Sequence, residues 1–234
     1  MSIRNKLHKS LRLRGIGGTM KLIARWPFAM IVEHQSAKRR NQIQAVFDQQ
    51  YGTDTGGVIP LSAFSIDNPI WIHGCRYGPT SPQRFRECLS LLPIGPHEFK
   101  HYTFIDFGSG KGATLLYAAD LAFGSVLGVE LVEDLHRIAE RNIVRYPAAH
   151  GLPVRSVCAD ATTFPIPSGP LVIFASNPFS QELMDQVLAN IESQGHGVRY
   201  IIHENSTYRL SSLVHGRSLE LLREIGGCRV YRLA

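Results

Sequence analysis

Cysteine is scarce in this 234-residue chain: the four present, Cys75, Cys88, Cys158 and Cys228, stand far apart and form no CxxC pair. Their scatter argues against a disulfide framework and a zinc site, and leaves buried reduced thiols as the reading; no bound metal is expected. Long apolar runs are lacking as well. The best candidate, LIARWPFAMIV at residues 22–32, is short and carries Arg25, whereas a bilayer span needs roughly 18 or more apolar residues. Nothing has the succession of a cleaved signal peptide, so a cytoplasmic setting is expected, with no integral membrane segment. Internal repeats and low-complexity tracts are missing too. What remains, 44% hydrophobic over this length, suffices for one cored domain with an elaboration.

Acids are nearly absent from the first fifty residues. Ten Lys and Arg stand there against Glu33 and Asp48 alone, while the rest of the chain carries fifteen against seventeen. The net charge of +6 is therefore an N-terminal property. Residues 1–19, ending in GIGGT, are expected to form a basic flexible arm. Such an arm suits peripheral contact with acidic surfaces, or the role of an organellar transit peptide, which would change the compartment. Only Trp26 and Phe28 accompany the basic run as aromatics, too few for a stacking platform that binds single-stranded nucleic acid.

Residues 20–100 read as a helical and loop extension or lid. SAKRRNQIQAVFDQQYG has helical spacing with Ile43, Val46 and Phe47 on one side, and SPQRFRECLSLLPIG opens with a cap and a proline at Ser81 and Pro82. From His101 the pattern becomes strand and helix in alternation: YTFIDFG, ATLLYAADLA, SVLGVEL, EDLHRIAERNIVRY, VRSVCAD, PLVIFASNPF, SQELMDQVLANIESQG and VRYIIHEN, closing with two strands around Gly226–Gly227. Such alternation predicts an α/β fold, a Rossmann-like doubly wound sheet that is mainly parallel and seven-stranded, over residues 101–234. Ligands of that architecture bind at the carboxyl ends of the strands.

FIDFGSGKGA, residues 104–113, ends the first strand with Asp106 and places Gly108, Gly110 and Gly112 around Ser109. Glycines there let a ligand approach the backbone at a helix start. A triphosphate P-loop is excluded, because Gly112 follows Lys111 where Ser or Thr is required and Ile105 occupies the first glycine position. Gly108, Gly110 and Ala113 do satisfy GxGxxA, so spacing alone leaves NAD open. Asp106 argues otherwise: a carboxylate beside the glycines repels a pyrophosphate and suits a cationic amine, which S-adenosylmethionine carries. Glu130, with Leu131 after it, ends the second strand where an acid accepts ribose hydroxyls, a feature shared with NAD sites. Asp160, after the third strand, is placed for an adenine amino group, with the backbone of Ala161 beside it.

FIDFGSGKGA, VLGVELVEDLHRIAERN, CADAT and VIFASNPF together resemble the successive motifs of class I, seven-β-strand, S-adenosylmethionine-dependent methyltransferases, over about residues 77–206. Upstream, YGPTSPQRF resembles a Tyr-x-Pro-Ser/Thr element found in a subgroup of protein lysine methyltransferases. The resemblance implies that this loop closes over the cofactor, with Tyr77 and Thr80 near its methionine part. It also implies catalytic positions at Asn177, Pro178 and Phe179: Asn177 orients the nucleophile, and the backbone carbonyl beside it accepts from an incoming amine. The ring face of Phe179 favours a cationic transition state. His203 and Glu204 are candidate helpers for deprotonating an amine.

Phe179 stands where adenine-N6 and glutamine methyltransferases carry a second proline, which disfavours those targets. The short STYRLSSLVHGR segment leaves the acceptor side open, as a macromolecular acceptor would need. The expected activity is methylation of a protein lysine by in-line transfer. The alternatives are a small-molecule N- or O-methyltransferase, a non-catalytic cofactor-binding module, a nucleic-acid-binding protein, and an NAD-dependent oxidoreductase.

Overall fold

The computed structural model describes residues 41–60, 64, 76–176, 179–194, 197, 199–205, 208–210, 213–214 and 217–233. The basic arm, Trp26, Phe28, Cys75, Asn177 and Pro178 lie outside the described residues. The chain forms two units, Met1–Ile43 and Gln44–Ala234; of the first, residues 41–43 are described and are helical.

Thr103–Phe107 (β1), Ser125–Glu130 (β2), Val154–Cys158 (β3), Leu171–Ser176 (β4) and Arg199–Glu204 (β5) pair in parallel. Cys228–Leu233 (β8) joins β5 antiparallel, Arg217–Ile225 (β7) joins β8, and the two-residue Leu213–Val214 (β6) pairs with β7. The resulting order is β3-β2-β1-β4-β5-β8-β7-β6. The predicted seven-stranded doubly wound sheet is thus present, with one unforeseen short strand at its edge. Period-two alternation explains why β1, β2 and β4 read as nearly continuous apolar runs, since both faces are covered. Phe104, Val126, Val172 and Phe174 face the helix Ala113–Ala119 (α3) and the helix Pro82–Leu89 (α2). Ile105, Leu127, Ile173 and Ala175 face the helix Gln181–Gln194 (α5) through Met184, Val187, Leu188 and Ile191.

α2 begins as the sequence predicts: the Ser81 hydroxyl accepts from the Arg84 N–H at 3.2 Å and Pro82 opens the first turn. Phe85, from the buried face of this helix, packs edge-on against Phe104 and Phe174 at 5.6 and 5.5 Å. Residues 41–51 are helical (α1), but the core-facing side is not the one expected. Val46 is 65% exposed, whereas Gln44 is buried and Phe47 and Tyr51 pack against the core. The reason is polar: Gln44 is turned inward by the Tyr117 hydroxyl, which donates to Gln44 Oε1 at 3.0 Å, and by Thr55. Among the described residues, no helix is long and apolar enough to cross a membrane.

Candidate functional site

The chain runs outward from β1 through β2 to β3, then returns to the other side of β1 as β4. That reversal opens a crevice at the carboxyl ends of β1 and β4, the binding position of doubly wound sheets. Asp106, Glu130 and Ser176 all stand at strand ends around it.

The glycine loop turns sharply, with φ of +80° at Gly108, +55° at Gly110 and +81° at Gly112. At Gly110 the left-handed conformation coincides with a close approach: a methyl group there would overlap the ring of Tyr77 at Cδ2 and Cε2. Tyr77 is buried, its hydroxyl donates to the Thr55 carbonyl at 2.5 Å, and its backbone exchanges hydrogen bonds with Ile59. The Ser109 hydroxyl lies in the same turn, buried and without a partner among the described residues. A buried, unpaired polar atom beside a glycine cradle fits a polar ligand.

Glu130 is buried, and both its oxygens accept backbone protons. Gly110 N–H donates to Oε2 at 2.7 Å and Val132 N–H to Oε1 at 2.9 Å. Burial raises its pKa, and those N–H groups oppose the rise. The carboxylate thus shapes the glycine loop as well as facing the crevice, and each oxygen keeps a second lone pair for a ligand hydroxyl. Asp106 accepts from the Thr114 hydroxyl; burial, reinforced by the Glu130 charge, pushes its pKa up to about 7. A carboxyl in that state has no cation to pair with among the described residues, and an ammonium brought beside it would stabilise its charged form. Asp160 closes a turn: its Oδ1 accepts from the backbone and hydroxyl of Thr162 at 2.8 and 2.7 Å. Leu131 is half-buried at the end of β2, and Ala161 is buried, its carbonyl accepting from Asn190 at 3.1 Å.

Thr80 lies at the opposite end of the crevice, donating to the Ser176 hydroxyl at 3.2 Å. The loop 77–80 therefore crosses the ends of β1 and β4, with Tyr77 on Gly110 and Thr80 on Ser176. Phe179 is partly buried against the α5 side of the core, and its carbonyl accepts from the Tyr208 hydroxyl at 3.2 Å. His203 and Glu204 point to opposite faces of β5. His203 is buried with neither ring nitrogen partnered among the described residues, and burial together with the charge of Arg229 lowers its pKa to about 4.

Sequence reasoning missed the polar frame that holds the upstream segment. Lys111 is buried, reaches Asp54 at 2.7 Å and the Gly56 carbonyl at 2.9 Å, and lies 5.7 Å from the centroid of the Tyr77 ring. Asn142, fully buried on the helix Glu133–Arg145 (α4), donates to the carbonyls of Asp54 and Lys111 and accepts the Asp54 N–H. Asp48 takes the N–H groups of Thr55 and Gly56. The one sequence signal was a lysine inside a glycine motif that is not a P-loop. Asn142→Ala strands an N–H and two carbonyls in a buried place, so the urea midpoint should fall by the equivalent of about 2 kcal/mol. An unchanged midpoint would mean that water replaces the side chain.

Residues 105–192 match the family of the methyltransferase domain. Solved structures with a similar course include magnesium protoporphyrin IX methyltransferase from Synechocystis PCC 6803 with bound S-adenosylmethionine, 11% identical, covering 65% of this chain and 78% of that one at a TM-score of 0.47. TrmN from Thermus thermophilus is 20% identical over 66% of this chain and 48% of its own, at 0.49. An RNA methyltransferase from Salinibacter ruber in complex with S-adenosyl-L-homocysteine is 17% identical over 66% and 91%, at 0.44. Comparison with curated protein sequences finds no match.

Proposed function

We propose that this S-adenosylmethionine-dependent methyltransferase modifies a nitrogen atom, with the lysine side chain of a protein as its acceptor. The methyltransferase domain at residues 105–192 makes S-adenosylmethionine the methyl donor. When bound, the cofactor supplies an electrophilic methyl group on a sulfonium.

The site suits that ligand. Asp106 takes the amino group of the methionine part, Glu130 the ribose hydroxyls and Asp160 the adenine amine, with Leu131 and Ala161 beside the nucleoside. Gly108, Ser109, Gly110 and Gly112 form the cradle. Asn177, Pro178 and Phe179, following β4, are assigned to the reacting side, where Asn177 orients the acceptor and water is excluded.

The observation that carries the lysine reading is the placement of the Tyr77–Thr80 loop across the crevice, anchored on Gly110 and on Ser176. That placement is compatible with the closure over the cofactor that the resemblance of YGPTSPQRF to a Tyr-x-Pro-Thr element implies. A lysine ammonium must lose its proton before attack. Glu204 is already engaged by Ser176 and Arg84, and His203 lies buried, so neither takes that proton, which passes to solvent.

The test is a tritiated-methyl screen of cell lysate split into protein, nucleic acid and small-molecule fractions. Label in protein recovered as methyl-lysine is expected. Label confined to nucleic acid or to small molecules would overturn the acceptor assignment.

Asp106 gives the cofactor site a pH signature. Its folded pKa, about 7, lies above the value of an exposed carboxyl, so the unliganded fold favours the protonated form. The stability this contributes is complete in acid and is lost as pH rises through 7. A cationic ligand needs the carboxylate, so binding below pH 7 must expel a proton. S-adenosylmethionine affinity should weaken roughly 5- to 10-fold from pH 7.5 to pH 6, and Asp106→Asn should flatten the profile. A flat profile in the unmodified protein would remove Asp106 from the amino-group role.

A further inference from the structure

Glu204 belongs to no part of the cofactor constellation, yet it is buried at the carboxyl end of β5 and fully engaged. Its Oε2 accepts from the Ser176 hydroxyl at 2.6 Å and its Oε1 from Arg84 Nε at 3.0 Å. Ser176 in turn accepts from Thr80 at 3.2 Å. Arg84 sits in the first turn of α2, four residues beyond Thr80, and its second nitrogen donates to the Gly226 carbonyl in the β7–β8 turn at 2.6 Å. The links close a ring, from Thr80 to the end of β4, to the end of β5, to α2 and back along the backbone through Ser81 to Thr80.

The direction of every bond in that ring is set by one charge. An ionised carboxylate only accepts and a guanidinium only donates. Ser176 has a single proton, and Glu204 takes it. Ser176 can then offer Thr80 only a lone pair, which obliges Thr80 to donate and turns the remaining lone pairs of its oxygen away from Ser176. Charge-assisted bonds of this kind are the stronger ones. The loop that crosses the crevice is thereby fixed at its Thr80 end, as Tyr77 fixes the other, and Ser176 immediately precedes the segment assigned to the acceptor.

We propose that Glu204 is a positioning residue for methyl transfer, acting through Ser176 and Thr80 to hold the Tyr77–Thr80 loop in the cofactor-binding arrangement. The proposal rests on S-adenosylmethionine being the cofactor. Glu204→Gln separates positioning from packing. The amide keeps the volume and the bond from Arg84, but its nitrogen donates to Ser176, which frees the Ser176 proton and removes the charge that fixed the direction of the bond to Thr80.

Calorimetric titration with S-adenosylmethionine should show Glu204→Gln and Ser176→Ala each weakened about five- to tenfold, the double variant no weaker than Ser176→Ala alone, and Thr80→Ser within about twofold of the unmodified protein. Unchanged affinity in Glu204→Gln, or losses that multiply in the double variant, would overturn the proposal. A second measurement needs no ligand: in Ser176→Ala, exchange of the Tyr77 amide, which donates to the Ile59 carbonyl at 2.8 Å, should speed up about tenfold or more in the free protein. Unchanged exchange there would also overturn it. A protein that binds no S-adenosylmethionine in any form would count against the cofactor, and the exchange measurement would then decide the link on its own.

Discussion

Replacing Glu130 with alanine is expected to weaken S-adenosylmethionine binding about 100-fold or more, the equivalent of roughly 2.7 kcal/mol. Two losses combine. The ribose hydroxyls lose a charged acceptor, and hydrogen bonds to charged groups contribute about 1.5–3 kcal/mol each. The Gly110 and Val132 N–H groups also lose the acceptor that holds them at 2.7 and 2.9 Å, so the cradle itself relaxes. Urea unfolding should register the second loss as about 1–3 kcal/mol. Glu130→Gln serves as the milder variant. Its amide oxygen satisfies one N–H, but its nitrogen faces the other donor, so both affinity and stability should fall between those of the parent and alanine. Alanine affinity within about twofold of the parent, with the fold intact, would remove Glu130 from the site.

Gly110→Ala should be the most damaging single methyl group in the site. A left-handed backbone costs a non-glycine residue about 1–2 kcal/mol, and here the added carbon also collides with a Tyr77 ring that cannot swing aside. The ring is buried, its hydroxyl is bonded to Thr55, and its backbone is paired with Ile59. Displacing it brings the expected stability loss to about 3–5 kcal/mol. Cofactor affinity should fall with it, because the loop 77–80 loses its anchor on the glycine loop. The double variant with Tyr77→Ala isolates the collision: it should be more stable than the sum of the two single losses by about 1–2 kcal/mol. Strict additivity would mean that the backbone conformation, and not the Tyr77 contact, makes glycine necessary.

The parts of the fold set by local pattern were legible in the sequence. Phe104 and Ile105 alternate into opposite cores, Ser81 and Pro82 start α2, and Gly226–Gly227 turns the last hairpin, because each depends on neighbours a few residues away. That Asp106, Glu130 and Asp160 stand at or just past the ends of successive strands was legible for a related reason: the alternation of strands and helices marks where each strand stops. What lay beyond reach was set by distant partners. Helical spacing cannot say that Gln44 rather than Val46 turns inward when the deciding group is a hydroxyl on Tyr117. Nor does any local signal join Lys111 and Asn142 to Asp54, or Arg84 to Glu204 across 120 residues. Glu130 was read for its ligand alone. That its oxygens also organise the glycine loop follows only once β1 and β2 lie side by side.

The central claim is that the crevice holds S-adenosylmethionine and not a dinucleotide, since the glycine spacing fits both and Asp106 separates them. Calorimetric titration of the purified protein with S-adenosylmethionine, and in parallel with NAD, tests it most directly. Binding of the first in the micromolar range, about −8 kcal/mol, with no heat from the second is the predicted result. Binding of NAD alone would contradict it.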